Sequence, residues 1–161
     1  MPAPDILRFL KGADTPADDQ KAFLKAQILF WLIGATDGHA KNFSLFLGPR
    51  GRFQMTPLYD VMSAQPSLDA RQIERKQMKL AMSAGTSRHY RIDEIRGRHF
   101  IQTAEAAGVP AFIAMDPLKE VARAAPVVLG EIEKALPSGF PKRIHSSITS
   151  GLVRRLKGIE A

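Results

Sequence analysis

The sequence predicts a mainly α-helical domain that carries one small β-hairpin. Apolar residues recur every three or four positions over long stretches, as between Ala17 and Ile33. A pair of strand-like runs, "FSLFL" and "RFQMT", is joined by the Gly- and Pro-rich turn "GPRG". The 161 residues suit one domain with its own core, and no repeat, linker or low-complexity tract divides them, so residues 1–161 read as a single unit.

Taken in order, "PDILRFL" sets Pro4 in the first turn of a short helix. Asp14 or Thr15 stands ready to cap the next one, with Pro16 at its first position. Phe23, Leu24, Ile28, Leu29, Leu32 and Ile33 share a core-facing side of that helix, Trp31 packs beside them, and Gly34 ends it. In the hairpin, Phe43, Leu45 and Leu47 alternate with Ser44 and Phe46. Closure at Gly48 to Gly51 pairs Phe43 near Thr56, which returns "PLYD" towards Asn42. Residues 61–91 read as irregular apart from a short strand in "MKLAM". Helical spacing resumes through Ile92, Ile95, Phe100, Ile101 and Ala104 and stops at Gly108. Asp116 and Pro117 are expected to cap and start a further helix that Pro126 kinks or divides before Leu136. A last helix is expected from Lys142 to Lys157.

Composition narrows the function classes. There is no cysteine, which excludes disulfides, thiolate zinc sites and cysteine nucleophiles. The opening "MPAPDILRFLKGAD" lacks the basic-then-apolar layout of a secretory signal, and no apolar run approaches the ~18 residues of a membrane span. A cytoplasmic protein without a membrane partner is the expectation. The net charge is +7, and it is clustered. Arg71 to His99 holds eight Lys or Arg against three acids, and Lys142 to Lys157 adds five with none. Such clusters suit nucleic acid, nucleotide phosphates or an acidic protein, and equally a solvated basic surface. No aromatic residues interleave with them as stacking platforms, which argues against single-strand recognition.

The chemistry concentrates in "GATDGHAKNFSLFL", residues 34 to 47. A carboxylate at the head of this loop, Asp37, can accept a hydroxyl proton, and the amide oxygen of Asn42 five residues on can bind a metal. Phosphoryl transfer needs an oriented nucleophile and cations to offset charge on the moving group. Magnesium takes hard oxygen ligands and keeps several waters, so one carboxylate, one amide oxygen and the phosphates of a nucleotide are a sufficient set. Asp60, delivered by the hairpin, is the natural carboxylate, while His39 and Lys41 are donors within reach of phosphate oxygens. Asp and Asn are also favoured in ordinary turns. Three of them at this spacing round a hairpin favour the functional reading. For His39 a hydrogen-bonded loop histidine competes evenly, and Tyr59 reads first as packing. His89, His99 and His145 show no metal-site spacing. A metal-dependent phosphohydrolase, the other class a histidine with two aspartates suggests, lacks the further ligands a two-metal site needs.

Loop Asp, Asn at plus five, a hairpin and a second Asp resemble the lower lobe of protein kinases, although "HRD" and "DFG" are absent. The words "FWLIGATDGHAKNFSLFL", "TPLYDVMSA", "KLAM" and "RHF" together closely resemble the C-terminal part of HipA-type toxins, bacterial serine/threonine kinases linked to persistence. The resemblance runs along essentially the whole chain and implies the helical C-terminal lobe of a kinase-like fold. It implies Asp37 as proton acceptor, Asn42 and Asp60 as magnesium ligands, and His39, Lys41 and Tyr59 around the phosphates of ATP. It further implies a HipB-type antitoxin as a DNA-binding partner and a protein substrate such as glutamyl-tRNA synthetase. The family's N-terminal lobe, with its phosphate-covering loop and nucleotide-anchoring lysine, has no counterpart in these residues. The expectation is therefore an enzyme lobe inactive by itself; the alternative is a non-catalytic module that binds an antitoxin, a partner lobe or DNA.

Overall fold

Helix α2 (Pro16–Ile33) is the element around which the others are assembled. The computed structural model describes residues 1–160. Phe23, Leu24, Ala26, Ile28, Phe30, Trp31 and Leu32 of α2 are all buried, so the helix is covered on nearly every side rather than on one face. Its first half joins α1 (Ala3–Phe9) and Ala104 of α4 (Gly97–Ala106) in one apolar cluster. Its second half joins α5 (Ala111–Ala135) and α6 (Lys142–Leu156) in another. Gly34 terminates α2 in the left-handed conformation (φ 72°), the region that glycine enters without a Cβ penalty. Thr15 occupies the cap position but makes no side-chain cap; Asp14 instead pairs with Arg52.

The architecture is mainly helical, as expected, with two small antiparallel sheets rather than one. Strands β1 (Leu45–Leu47) and β2 (Phe53–Met55) pair with Leu45 opposite Met55 and Leu47 opposite Phe53. The hydrogen bond from Thr56 N to Ser44 O (3.0 Å) continues this register and sets Thr56 opposite Ser44, one residue from the Phe43 partner expected. The hairpin's tip stands clear of the core: Phe46 and Leu47 are both exposed, so the expected inward face ends at Leu45. Residues 61–91 are more ordered than their composition suggests. They hold α3 (Gln65–Asp69) and strand β3 (Lys79–Ala84), which pairs through an irregular register with β4 (His89–Arg91). The strand read in "MKLAM" is thus half of a second hairpin, closed by a turn with Gly85 at φ 79°.

Two helix boundaries differ from the expectation. Ile92 and Ile95 are buried but precede α4; they follow a strand and belong to a turn, where Ile92 O accepts a hydrogen bond from Trp31 Nε1 (3.0 Å). Their three-residue spacing imitates helical periodicity. Asp116 and Pro117 do not start a helix, and Pro126 does not divide one: α5 begins at Ala111 and runs through both prolines. Each proline removes one amide donor, at a cost of about 3 kcal/mol in an isolated helix. Leu118, Val121, Ala125 and Leu129 pack on the core on either side of them, and the ion pairs of Lys21 and Lys25 with Glu120 fasten α5 to α2. No described helix is long and apolar enough to cross a membrane.

At the start of α4, His99 Nδ1 accepts a hydrogen bond from Arg96 N (3.1 Å), and its ring stacks on His89 with centroids 4.1 Å apart. Burial first, then the charges of His89, Arg98 and Arg96, holds the His99 imidazole below its ordinary value of 6.5. The unfolded chain takes up this proton near the ordinary value, the folded chain only at lower pH. Its contribution to stability is therefore complete above about pH 6.5 and is lost as pH falls through the folded-state value. Thermal unfolding followed by circular dichroism is expected to show Tm falling between about pH 8 and pH 5.5, with a shallower fall in His99→Gln. An identical slope in the variant would contradict this assignment.

Candidate functional site

Two loops leave and re-enter the core side by side. The first runs from Gly34 to Ser44 and carries Asp37, His39, Lys41 and Asn42; the second runs from Thr56 to Ala64 and carries Tyr59 and Asp60. They are tied to each other at both ends. At the hairpin end, Thr56 N donates to Ser44 O (3.0 Å), and Ser44 Oγ and Tyr59 OH share a hydrogen bond of 2.7 Å. At the helix end, Ala64 N donates to Gly34 O (2.8 Å) and Ser63 Oγ donates to Ile33 O. The two loops thus become neighbours through one backbone bond at each end, each reinforced by a serine hydroxyl.

The first loop is short and tightly turned. His39 N donates to Asp37 O (2.9 Å), and Asn42 N donates to His39 O (2.9 Å) in a 3₁₀ turn over Ala40–Asn42. Phe43, directly after Asn42, is gripped by Phe23 and Phe30 of α2, with ring centroids 5.1 and 6.0 Å away. Asn42 is therefore held by an aromatic anchor one residue on. In the second loop Asp60 sits at φ 53°, a left-handed conformation that an aspartate adopts at some cost. Strain of this kind persists where surrounding bonds over-determine it, and both flanks of Asp60 are so bonded.

Among the side chains themselves, His39 Nδ1 and Asp37 Oδ1 lie 2.7 Å apart, and both groups are exposed. Lys41 and Asp60 are exposed and make no ion pair among the described residues. Asn42 differs from all of these: its Oδ1 is buried and accepts no hydrogen bond. A buried, unpaired acceptor costs about 1–3 kcal/mol, and a cation would relieve it. No group of three or more His, Asp or Glu among the described residues is arranged to hold a metal. The donors on these loops are an amide oxygen, Asn42, and a carboxylate, Asp60, hard oxygens that fit magnesium and not zinc. The site is an open shelf; the clefts of about 400 and 370 Å³ lie elsewhere on the molecule.

Sequence reasoning overlooked the supports behind the shelf. Arg155 of α6 donates from Nε to Leu32 O (2.8 Å) at the end of α2 and from Nη1 to Gln65 Oε1 (2.9 Å) at the start of α3. Gln65 Nε2 donates to Asp69 Oδ1 (2.9 Å), and Ser147 Oγ donates to Asp69 Oδ2 (2.5 Å). Burial, then the charge of Arg154, pushes the Arg155 guanidinium down to about 10. Apart from Gln65 and Asp69, these partners lie 78 to 123 residues apart in the chain, and only the fold reveals them.

Gly38 is buried against Phe30, where an added Cβ would stand 2.4 Å from the ring's Cδ2. Either the ring or the Asp37 loop has to move. Gly38→Ala is expected to destabilise by about 1–3 kcal/mol in urea unfolding. Unchanged stability would show that the loop is not seated on Phe30.

Two comparisons bear on identity. A family model described as the HipA-like C-terminal domain matches residues 3–129. The fold is similar to a chain in the solved complex of HipA, HipB and operator DNA from the Shewanella oneidensis MR-1 toxin–antitoxin system, with TM-score 0.79 and 20% identity. The match covers 99% of this chain and 37% of that one. The helical lobe, its paired loops and the matching family model make this chain a member of the HipA-like C-terminal domain family.

Proposed function

We propose that this chain is the C-terminal catalytic lobe of a HipA-like serine/threonine protein kinase. In the assembled enzyme it moves the γ-phosphoryl group of ATP to a protein hydroxyl. The observation that carries the reading is the orphaned Oδ1 of Asn42, held beside a loop whose Asp60 adopts a strained backbone. A buried acceptor without a partner, on one of two paired loops that carry exposed carboxylates, suits a cation that arrives with its ligand.

In this reading Asp37 is the base. One of its oxygens is engaged by His39, which fixes the carboxylate's direction and leaves the other free for a substrate hydroxyl. The hydroxyl proton passes to Asp37, the hydroxyl oxygen bonds to the γ-phosphorus, and the bond to the bridging oxygen of ADP breaks. Asn42 and Asp60 would hold Mg²⁺, which when bound offsets charge on the phosphates. His39, Lys41 and Tyr59 border the space the phosphates would take, and Tyr59 is kept there by its bond to Ser44. The Shewanella chain was solved with HipB and operator DNA, and the same assembly is proposed here: a HipB-type antitoxin, with DNA contacted through that complex. A protein such as glutamyl-tRNA synthetase is the proposed substrate.

The net charge of +7 favours a second reading, a non-catalytic module that binds an antitoxin, a partner lobe or DNA. Asp37→Asn separates the two. It is expected to abolish phosphoryl transfer by a polypeptide that contains this lobe and to leave antitoxin binding intact. Transfer that survives Asp37→Asn would overturn the catalytic reading. The 161 residues assayed by themselves are expected to bind ATP weakly and only with Mg²⁺, with Asp60→Asn weakening that binding about tenfold or more. They are expected to give no detectable turnover, because they contain no Gly-rich loop to cover the phosphates. Robust turnover by these residues alone would contradict that.

A further inference from the structure

The two basic clusters of the sequence meet at one place. Arg75 and Arg96, from the first, and Arg154, Arg155 and Lys157, from the second, line a single cleft of about 400 Å³. Its apolar floor is the half-buried Leu68, with Trp31, Met78 and Ile92 buried behind it. Asp93, the one acid lining it, is already engaged by Arg91 (2.7 Å). Among the described residues none of the five cations has a carboxylate partner. Arg96 donates only to the carbonyls of Asp93 and Ile95, and Arg155 to Leu32 O and Gln65 Oε1.

Cations at the end of α6 complement its dipole, which accounts for some basic residues there. It does not account for Arg75 and Arg96, which arrive from other segments, nor for the state of Arg155. Arg155 Nη2 is buried without an acceptor, close to Gly34 and Gly151, among the side chains that form the cleft wall. A concave, partly apolar site ringed by guanidinium groups, where the nearby charge of Asp69 is already taken up by Ser147 and Gln65, has the chemistry of a receptor for a phosphorylated small molecule. Duplex binding rests instead on many phosphate contacts spread along an extended basic surface.

We propose that this cleft is a second anion site, separate from the Asp37 shelf, that takes the phosphate or diphosphate group of a small molecule and rests its apolar part against Leu68. The proposal does not depend on the kinase reading, since none of its residues belongs to the shelf. It would place a charged ligand against Arg155, the residue that braces the end of α2 and the start of α3.

The test is titration calorimetry of the 161-residue chain with inorganic pyrophosphate in metal-free buffer. Arg75 and Arg154 are exposed, so the double variant Arg75→Ser/Arg154→Ser is expected to keep the wild-type circular dichroism spectrum and to bind about tenfold or more weakly. Arg123→Ser/Lys134→Ser removes the same charge from α5, outside the cleft, and is expected to bind as the wild type does. Asp60→Asn is also expected to leave binding unchanged. Equal weakening by both double variants, or loss caused by Lys41→Ser instead, would overturn the proposal. So would the absence of pyrophosphate binding by the wild-type chain; cleft-dependent binding of a short DNA duplex in its place would make the surface a nucleic-acid contact.

Discussion

The hydrogen bond from Ala64 N to Gly34 O closes a circuit on which the rest of the site depends. The chain leaves the buried end of α2 at Gly34, crosses the Asp37 loop and turns through a hairpin. It then comes back past Asp60 to the residue where it left. Because Trp31 and Leu32 are almost fully buried immediately before the exit, the starting point cannot drift. Because Ser63 and Ala64 bond to the carbonyls of Ile33 and Gly34, the return point cannot drift either. Between them lie loop and short hairpin, seated part-way along by Gly38 under Phe30 and by Phe43 against Phe23 and Phe30.

That arrangement separates chemistry from stability. The carboxylates of Asp37 and Asp60 and the ammonium group of Lys41 stand in solvent and contribute little to the fold. The groups that hold them in place are apolar or backbone: Phe43 between Phe23 and Phe30, Gly38 under Phe30, and the left-handed Gly34. The strained backbone of Asp60 and the unpaired oxygen of Asn42 are the places where the local structure departs from its cheapest form. Such departures concentrate where a protein has a ligand to accommodate.

The elements legible in the sequence were those fixed by local chemistry. The periodicity of α2, its stop at Gly34, the hairpin at Gly48 to Gly51 and the final helix near Lys142 depend on neighbours in the chain, and they stand where their residues indicate. The proximity of the Asn42 and Asp60 segments was legible for the same reason, since a hairpin's register follows from its turn. What was not legible depends on tertiary context. Pro117 and Pro126 stay helical because packing against α2 outweighs their missing amide bonds. Strand β3 was legible in part, in "MKLAM", but its partner β4 was not, because a three-residue strand paired through an irregular register leaves no alternation to read. The convergence of two basic clusters on one cleft joins residues some eighty apart, beyond any spacing rule.

The central claim is that the two loops surround one divalent cation brought with a nucleotide. The most direct measurement replaces Mg²⁺ with paramagnetic Mn²⁺ in the presence of ATP and follows amide line broadening along the chain by NMR. The account predicts strong broadening confined to residues 36–44 and 58–63, with the helix α5 amides unaffected. Broadening that is absent from either loop, or that centres on another surface, would contradict it.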